Sequence, residues 1–140
     1  MISLLGKFTS PRRTSICYPE HMLIELRQDR DLEQLLERSK ATTVLIFKHS
    51  TQCSISSHVY EEFVGFAESF NHLLCGLVLV IENRALSNAI ARRLNVRHES
   101  PQAIIVNDGR ATWHASHWYI TADSISEALT SHGEPAHQRD

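Results

Sequence analysis

The sequence is poor in cysteine and in net charge, and it has no long apolar run; each lack removes a class of protein. Only three cysteines occur in 140 residues, Cys17, Cys53 and Cys75, and no two form a C-x-x-C pair. They are too few and too scattered for a disulfide scaffold. A formal charge of −2 gives no electrostatic reason to expect nucleic acid or membrane partners. No apolar stretch approaches the roughly 18–20 residues of a membrane helix. The N-terminal "MISLLGKFTSPRRTSICYPEH" lacks the long apolar core of an export signal, so a cytoplasmic protein is expected. There is no internal repeat or low-complexity tract. With 42% hydrophobic and 21% charged residues, the chain has the composition of one ordinary globular domain. Nine histidines raise the question of a metal site.

Residues 1–21 mix Pro, Arg, Ser and Thr without a period and are expected to be a loose extension. A domain over 22–132 and a polar tail over 133–140 follow. "MLIEL" (22–26) suits a short strand. "RDLEQLLERSK" (30–40) places Leu32, Leu35 and Leu36 on one helical face. "TTVLIFKH" (42–49) and "LLCGLVLVIE" (73–82) are continuous apolar runs, the mark of strands covered on both faces. Between them, Ile55, Val59, Phe63, Phe66, Ala67 and Phe70 recur at helical spacing. Ser87 is expected to cap a helix through "NAIARRLN", and Thr121 to open a last one. "QAIIVNDGRATWHAS" (102–116) reads as a hairpin centred on Asp108-Gly109, which suits a type I′ turn. Alternating strands and helices, with a hairpin as antiparallel edge, predict an α/β, thioredoxin-like three-layer sandwich: a central mixed sheet between two helical layers.

In such sheets, reactive groups gather where strands end and helices begin. Cys53 lies at such a junction, in "KHSTQCSIS" (48–56). Unsatisfied amides and the partial positive charge of a helix start favour thiolate, the nucleophilic form. Ser56 stands where a dithiol motif would carry a second cysteine, with its hydroxyl expected near the sulfur. The competing reading is a helix cap without chemistry. Counting back from Asp108-Gly109 places Pro101 opposite Ser116, with His117 and Trp118 just beyond. Ser100-Pro101 before an edge strand suits a cis bond or a plain strand start. Lys48 and His49 end the strand; either could attract carboxylates of a small thiol or simply be solvated. Strand alternation would set Trp113 and Trp118 on opposite faces, and likewise His114 and His117. A zinc set of Cys53, His98 and His117 competes with a role for His117 in proton transfer. Cys75 reads as inert core and Cys17 as a spectator.

"KHSTQCSIS" and "VRHESPQAIIVNDGRATWHASHWYIT" resemble the monothiol bacilliredoxins, from about Leu23 to His132. Members typically read T-C-P-I-S. Here Cys53 and Ser56 match, while Ser54 replaces the proline and adds an N–H at the first helical position. The resemblance implies a cytoplasmic thiol-disulfide oxidoreductase that strips bacillithiol from client proteins. Bacillithiol would be a thiol co-substrate, with no bound cofactor or metal. It makes Cys53 the nucleophile, Ser56 the site of a missing resolving cysteine, and Pro101 the cis-proline beside the sulfur. Gln52, Ser54, Ser100, His117, Trp118 and Lys48 complete the expected surroundings. A non-enzymatic scaffold that binds peptide, or shares a metal or iron–sulfur cluster, is the alternative.

Overall fold

The computed structural model describes residues 22–69 and 73–132. The expected extension with Cys17, the polar tail and Phe70 lie outside them. The elements are β1 (Met22–Glu25), α1 (Asp29–Arg38), β2 (Val44–His49), α2 (Ser54–Ser69), β3 (Leu74–Leu79), α3 (Arg84–Leu94), β4 (Gln102–Asn107), β5 (Arg110–Ser116), a 3₁₀ turn (His117–Tyr119) and α4 (Ala122–His132). The five strands form one sheet in the order β1-β3-β2-β4-β5. β1 and β2 flank β3 in parallel, whereas β4 is antiparallel to both β2 and β5. This is the mixed α/β sandwich the pattern predicts. Among the described residues no helix is long and apolar enough to cross a membrane.

The alternation of β2 sorts the core into two layers. Val44 and Ile46 join Leu32, Leu35, Leu36, Leu86 and Ile90 in a cluster under α1 and α3. Leu45 and Phe47 join Val59, Phe63, Phe66, Ile125 and Ala128 under α2 and α4. The Phe47 and Phe63 rings stack with centroids 4.5 Å apart. α1 starts where the Asp31 carboxylate accepts the Arg27 and Gln28 N–H groups at 2.8 and 3.1 Å. Thr121 and Ser124 exchange backbone N–H to hydroxyl bonds at 3.0 Å each, so Thr121 does open α4. Ser87 does not cap α3. The helix begins a turn earlier, at Arg84, because Leu86 turns into the core, and Ser87 is buried within it.

Asp108 and Gly109 have φ of 53° and 76°, the two successive positive values of a type I′ turn. The tip is docked on the end of α1: the Asp108 N–H donates to the Ser39 carbonyl at 2.7 Å, and the Gly109 N–H to Ser39 Oγ at 2.8 Å. Val106 pairs Ala111 and Ile105 pairs Trp113, so Thr112 is an extra residue, a bulge. The bulge shifts the expected register by one. Ser116 faces Gln102, not Pro101, and the His117 N–H donates to the Pro101 carbonyl at 3.0 Å. Within the hairpin the edge strand is β5; β4, entered from Pro101, is internal.

Candidate functional site

Register and direction gather the site at one end of the sheet. β2 runs toward Cys53, β4 starts just after Pro101, and β5 ends before His117. Because Lys48 pairs Gln102 and Gln102 pairs Ser116, these three chain ends lie side by side. Cys53 immediately precedes α2, is half-buried, and its carbonyl accepts the Ser57 N–H at 3.0 Å. It therefore stands against the free amides of a helix start. Ser54 is the exposed first residue of α2, and Gln52 is exposed on the loop before it.

Ser56 turns its hydroxyl to the end of β2. It is fully buried, its hydroxyl 2.8 Å from His49 Nδ1 and accepting the Ser50 N–H at 2.9 Å. These bonds are satisfied together when the hydroxyl donates to Nδ1 and the ring hydrogen sits on Nε2. His49 stacks on Tyr60 with centroids 4.4 Å apart, and burial holds its pKa below the ordinary value against the pull of Glu82. The position of a second sulfur is thus filled by a hydroxyl that locks α2 onto the end of β2.

Lys48 departs from expectation. It points away from His49, into the α3 side of the sheet, and is fully buried. Its Nζ lies 3.1 Å from the Ser87 carbonyl oxygen and 3.1 Å from His98 Nδ1, so it offers no surface charge to a carboxylate. The signal was present in the strand: beyond Phe47, a run covered on both faces sends Lys48 and His49 to opposite interiors.

Ser100-Pro101 is a cis peptide bond, and Pro101 is buried. Ser100 Oγ is buried without a hydrogen-bond partner. The strand ends at Ser116, where His117 takes a φ of 57°, so alternation does not govern His117 or Trp118. His117 Nδ1 lies 3.8 Å from Glu99 Oε1. Glu99's carboxyl is held below the usual range, first by a hydrogen bond from Ser116 and then by the charge of His117. Trp118 is 57% exposed and tilts against His58 of α2 with centroids 5.3 Å apart, so it walls the helix that Cys53 begins. The sequence reading missed His58. Trp113 instead packs half-buried on the α2–α4 side. The imagined zinc set does not assemble: His98 turns to Lys48 and His117 to Glu99, and among the described residues no three His, Cys, Asp or Glu groups converge.

A half-buried thiol at a helix start and a cis-proline loop thus stand at the same sheet end. The family described as monothiol bacilliredoxin BrxC matches residues 24–125. A solved oxidoreductase candidate with a thioredoxin fold is 34% identical, with a TM-score of 0.70 over 76% of this chain and 93% of its own. Thioredoxin from Fasciola hepatica (18% identical, TM-score 0.62, 77% of this chain and 97% of its own) shares the fold. So does spinach chloroplast thioredoxin f (12%, 0.68, 85% and 100%). The chain carries a thioredoxin fold and belongs to the monothiol bacilliredoxin family.

Proposed function

We propose that the protein is a monothiol oxidoreductase that removes bacillithiol, or a similar low-molecular-weight thiol, from mixed disulfides on client proteins. The observation that carries this is a half-exposed Cys53 at the start of α2, with position 56 occupied by a buried serine hydroxyl. The Cys53 thiolate attacks the bacillithiol sulfur, the bond to the client sulfur breaks, and the client thiolate leaves and takes a proton from solvent. Cys53 then holds bacillithiol as its own mixed disulfide. Ser56 cannot displace it, because an oxygen in that place forms no disulfide. A second thiol, or another redoxin, attacks the mixed disulfide and frees Cys53. Trp118 and the Pro101 loop flank the incoming disulfide. A reducing cytoplasm suits this cycle, since it supplies the second thiol.

The test is release of bacillithiol from a bacillithiolated client by the wild type and by Cys53→Ser. The variant should be inactive. Release at the wild-type rate by Cys53→Ser would refute the reading.

A further inference from the structure

Lys48 is an ammonium enclosed in the protein at the end of the central strand, and among the described residues no carboxylate pairs with it. Enclosing such a group is expensive, and an apolar residue of similar size commonly does as well or better. Burial pushes the amine down to about 8, which reflects that cost. What the amine holds accounts for its presence. Its two partners come from α3, through the Ser87 carbonyl, and from the loop before Pro101, through His98. Ser87 Oγ makes a second contact with His98 Nδ1 at 3.2 Å. With two donors converging on Nδ1, the ring is neutral and carries its hydrogen on Nε2. Burial, Lys48 and Arg84 all keep His98 below its ordinary pKa, with Glu99 opposing.

The neighbouring strand repeats the grip. Gln102 pairs with Lys48 in register, is 1% exposed, and donates from Nε2 to the Arg97 carbonyl at 2.9 Å. Two adjacent buried side chains thus hold two successive loop residues, Arg97 and His98, from the side of the sheet opposite α2. Three residues past His98 stands Pro101, at the sheet end where Cys53 lies.

We propose that Lys48 is a positioning residue: it fixes the Arg97–Ser100 loop from the α3 side of the sheet, and through it the Pro101 wall that an incoming disulfide meets at Cys53. This rests on the proposed exchange chemistry, but its structural half can be read without it.

The test compares wild type with Lys48→Met, which keeps the length of the chain and removes charge and donors. Three results are expected. The His117 amide, which the loop holds through the Pro101 carbonyl at 3.0 Å, should exchange hydrogen about tenfold faster, with the core strands unchanged. The ¹⁵N spectrum of His98 should show loss of one of the two donors to Nδ1, and its titration midpoint should rise. Exchange with a bacillithiolated peptide should slow about tenfold, while alkylation of Cys53 by iodoacetamide stays within about twofold. Unfolding stability should be equal or higher, as for other buried charges replaced by apolar groups. Wild-type protection of the His117 amide and a wild-type exchange rate in Lys48→Met would overturn the proposal, as would a uniform loss of protection across the sheet. If Lys48→Met does not fold, His98→Ala cuts the same tie at the half-buried loop end and should give the same loop loosening and slowed exchange; its failure to do so overturns the proposal equally. If the wild type itself does not react with the peptide, the exchange reading fails, and the hydrogen-exchange and ¹⁵N results still decide whether Lys48 holds the loop.

Discussion

His49 Nδ1 and Ser56 Oγ are 2.8 Å apart in the interior, and the same oxygen accepts the Ser50 N–H at 2.9 Å. One hydroxyl thus serves both groups. Ser56→Ala strips both and leaves them buried. It should destabilise the fold by about 1–3 kcal/mol in urea unfolding, with Cys53 still alkylated in the native state. A loss near zero would show that water replaces the hydroxyl.

Ser56→Cys tests the same position in the opposite sense. A thiol there restores the C-x-x-C spacing and gives the Cys53 mixed disulfide an internal attacker. Intact-mass analysis after reaction with a bacillithiolated client should show the adduct accumulating on wild type. On Ser56→Cys it should show an internal disulfide and free bacillithiol. Persistent adduct on the variant would contradict this geometry.

The described cysteines differ sharply in access. Cys53 is half-buried at a helix start, whereas Cys75 is 1% exposed in β3 and its thiol is pushed up to about 12 by burial. Brief iodoacetamide treatment followed by peptide mapping should label Cys53 and spare Cys75 until urea is added. Equal native labelling would remove the basis for a single reactive sulfur.

The sequence displayed the architecture more fully than the site. Apolar runs at 42–49 and 73–82 announced two-sided burial, and Asp108-Gly109 announced its turn, because these signals are local. The register beyond that turn was not legible, since nothing in "GRATWHAS" marks Thr112 as the bulged residue. The left-handed His117 was equally silent; non-glycine residues adopt that backbone seldom, and although histidine does so more than most, no pattern announces it. C-x-x-S was visible as a spacing. The partners of Lys48 were not, because Ser87 and His98 lie 39 and 50 residues away in the chain and meet it only once α3 has packed.

Lys48 also sets a pH signature. Its folded pKa of about 8 lies below the free value of 10.5, so between these limits the unfolded chain keeps a proton that the folded chain has shed. Stability from this group therefore rises with pH across that window, by at most about 3 kcal/mol. Cys75, raised from 9.0 to about 12, pulls the other way over the upper part of the window. The difference between wild type and Lys48→Met isolates the lysine, and it should shift in favour of wild type from pH 8 to pH 10. At the acid end, His49 and His98 are held below the ordinary histidine value of 6.5, so their contribution is present above it and is lost as pH falls through that range. Urea midpoints across pH 5 to 10 give both limbs, and a flat wild-type minus Lys48→Met difference would contradict the first.

Ser39 holds the hairpin tip through two backbone amides, at the end of the molecule remote from Cys53. The hairpin is also held at its other end, by the Gln102–Ser116 pair and by the His117 N–H on the Pro101 carbonyl, so the ribbon is pinned at both extremities. Under the proposed function, an arriving disulfide would then meet a seat already cast rather than one it must mould, which lowers the ordering cost of docking.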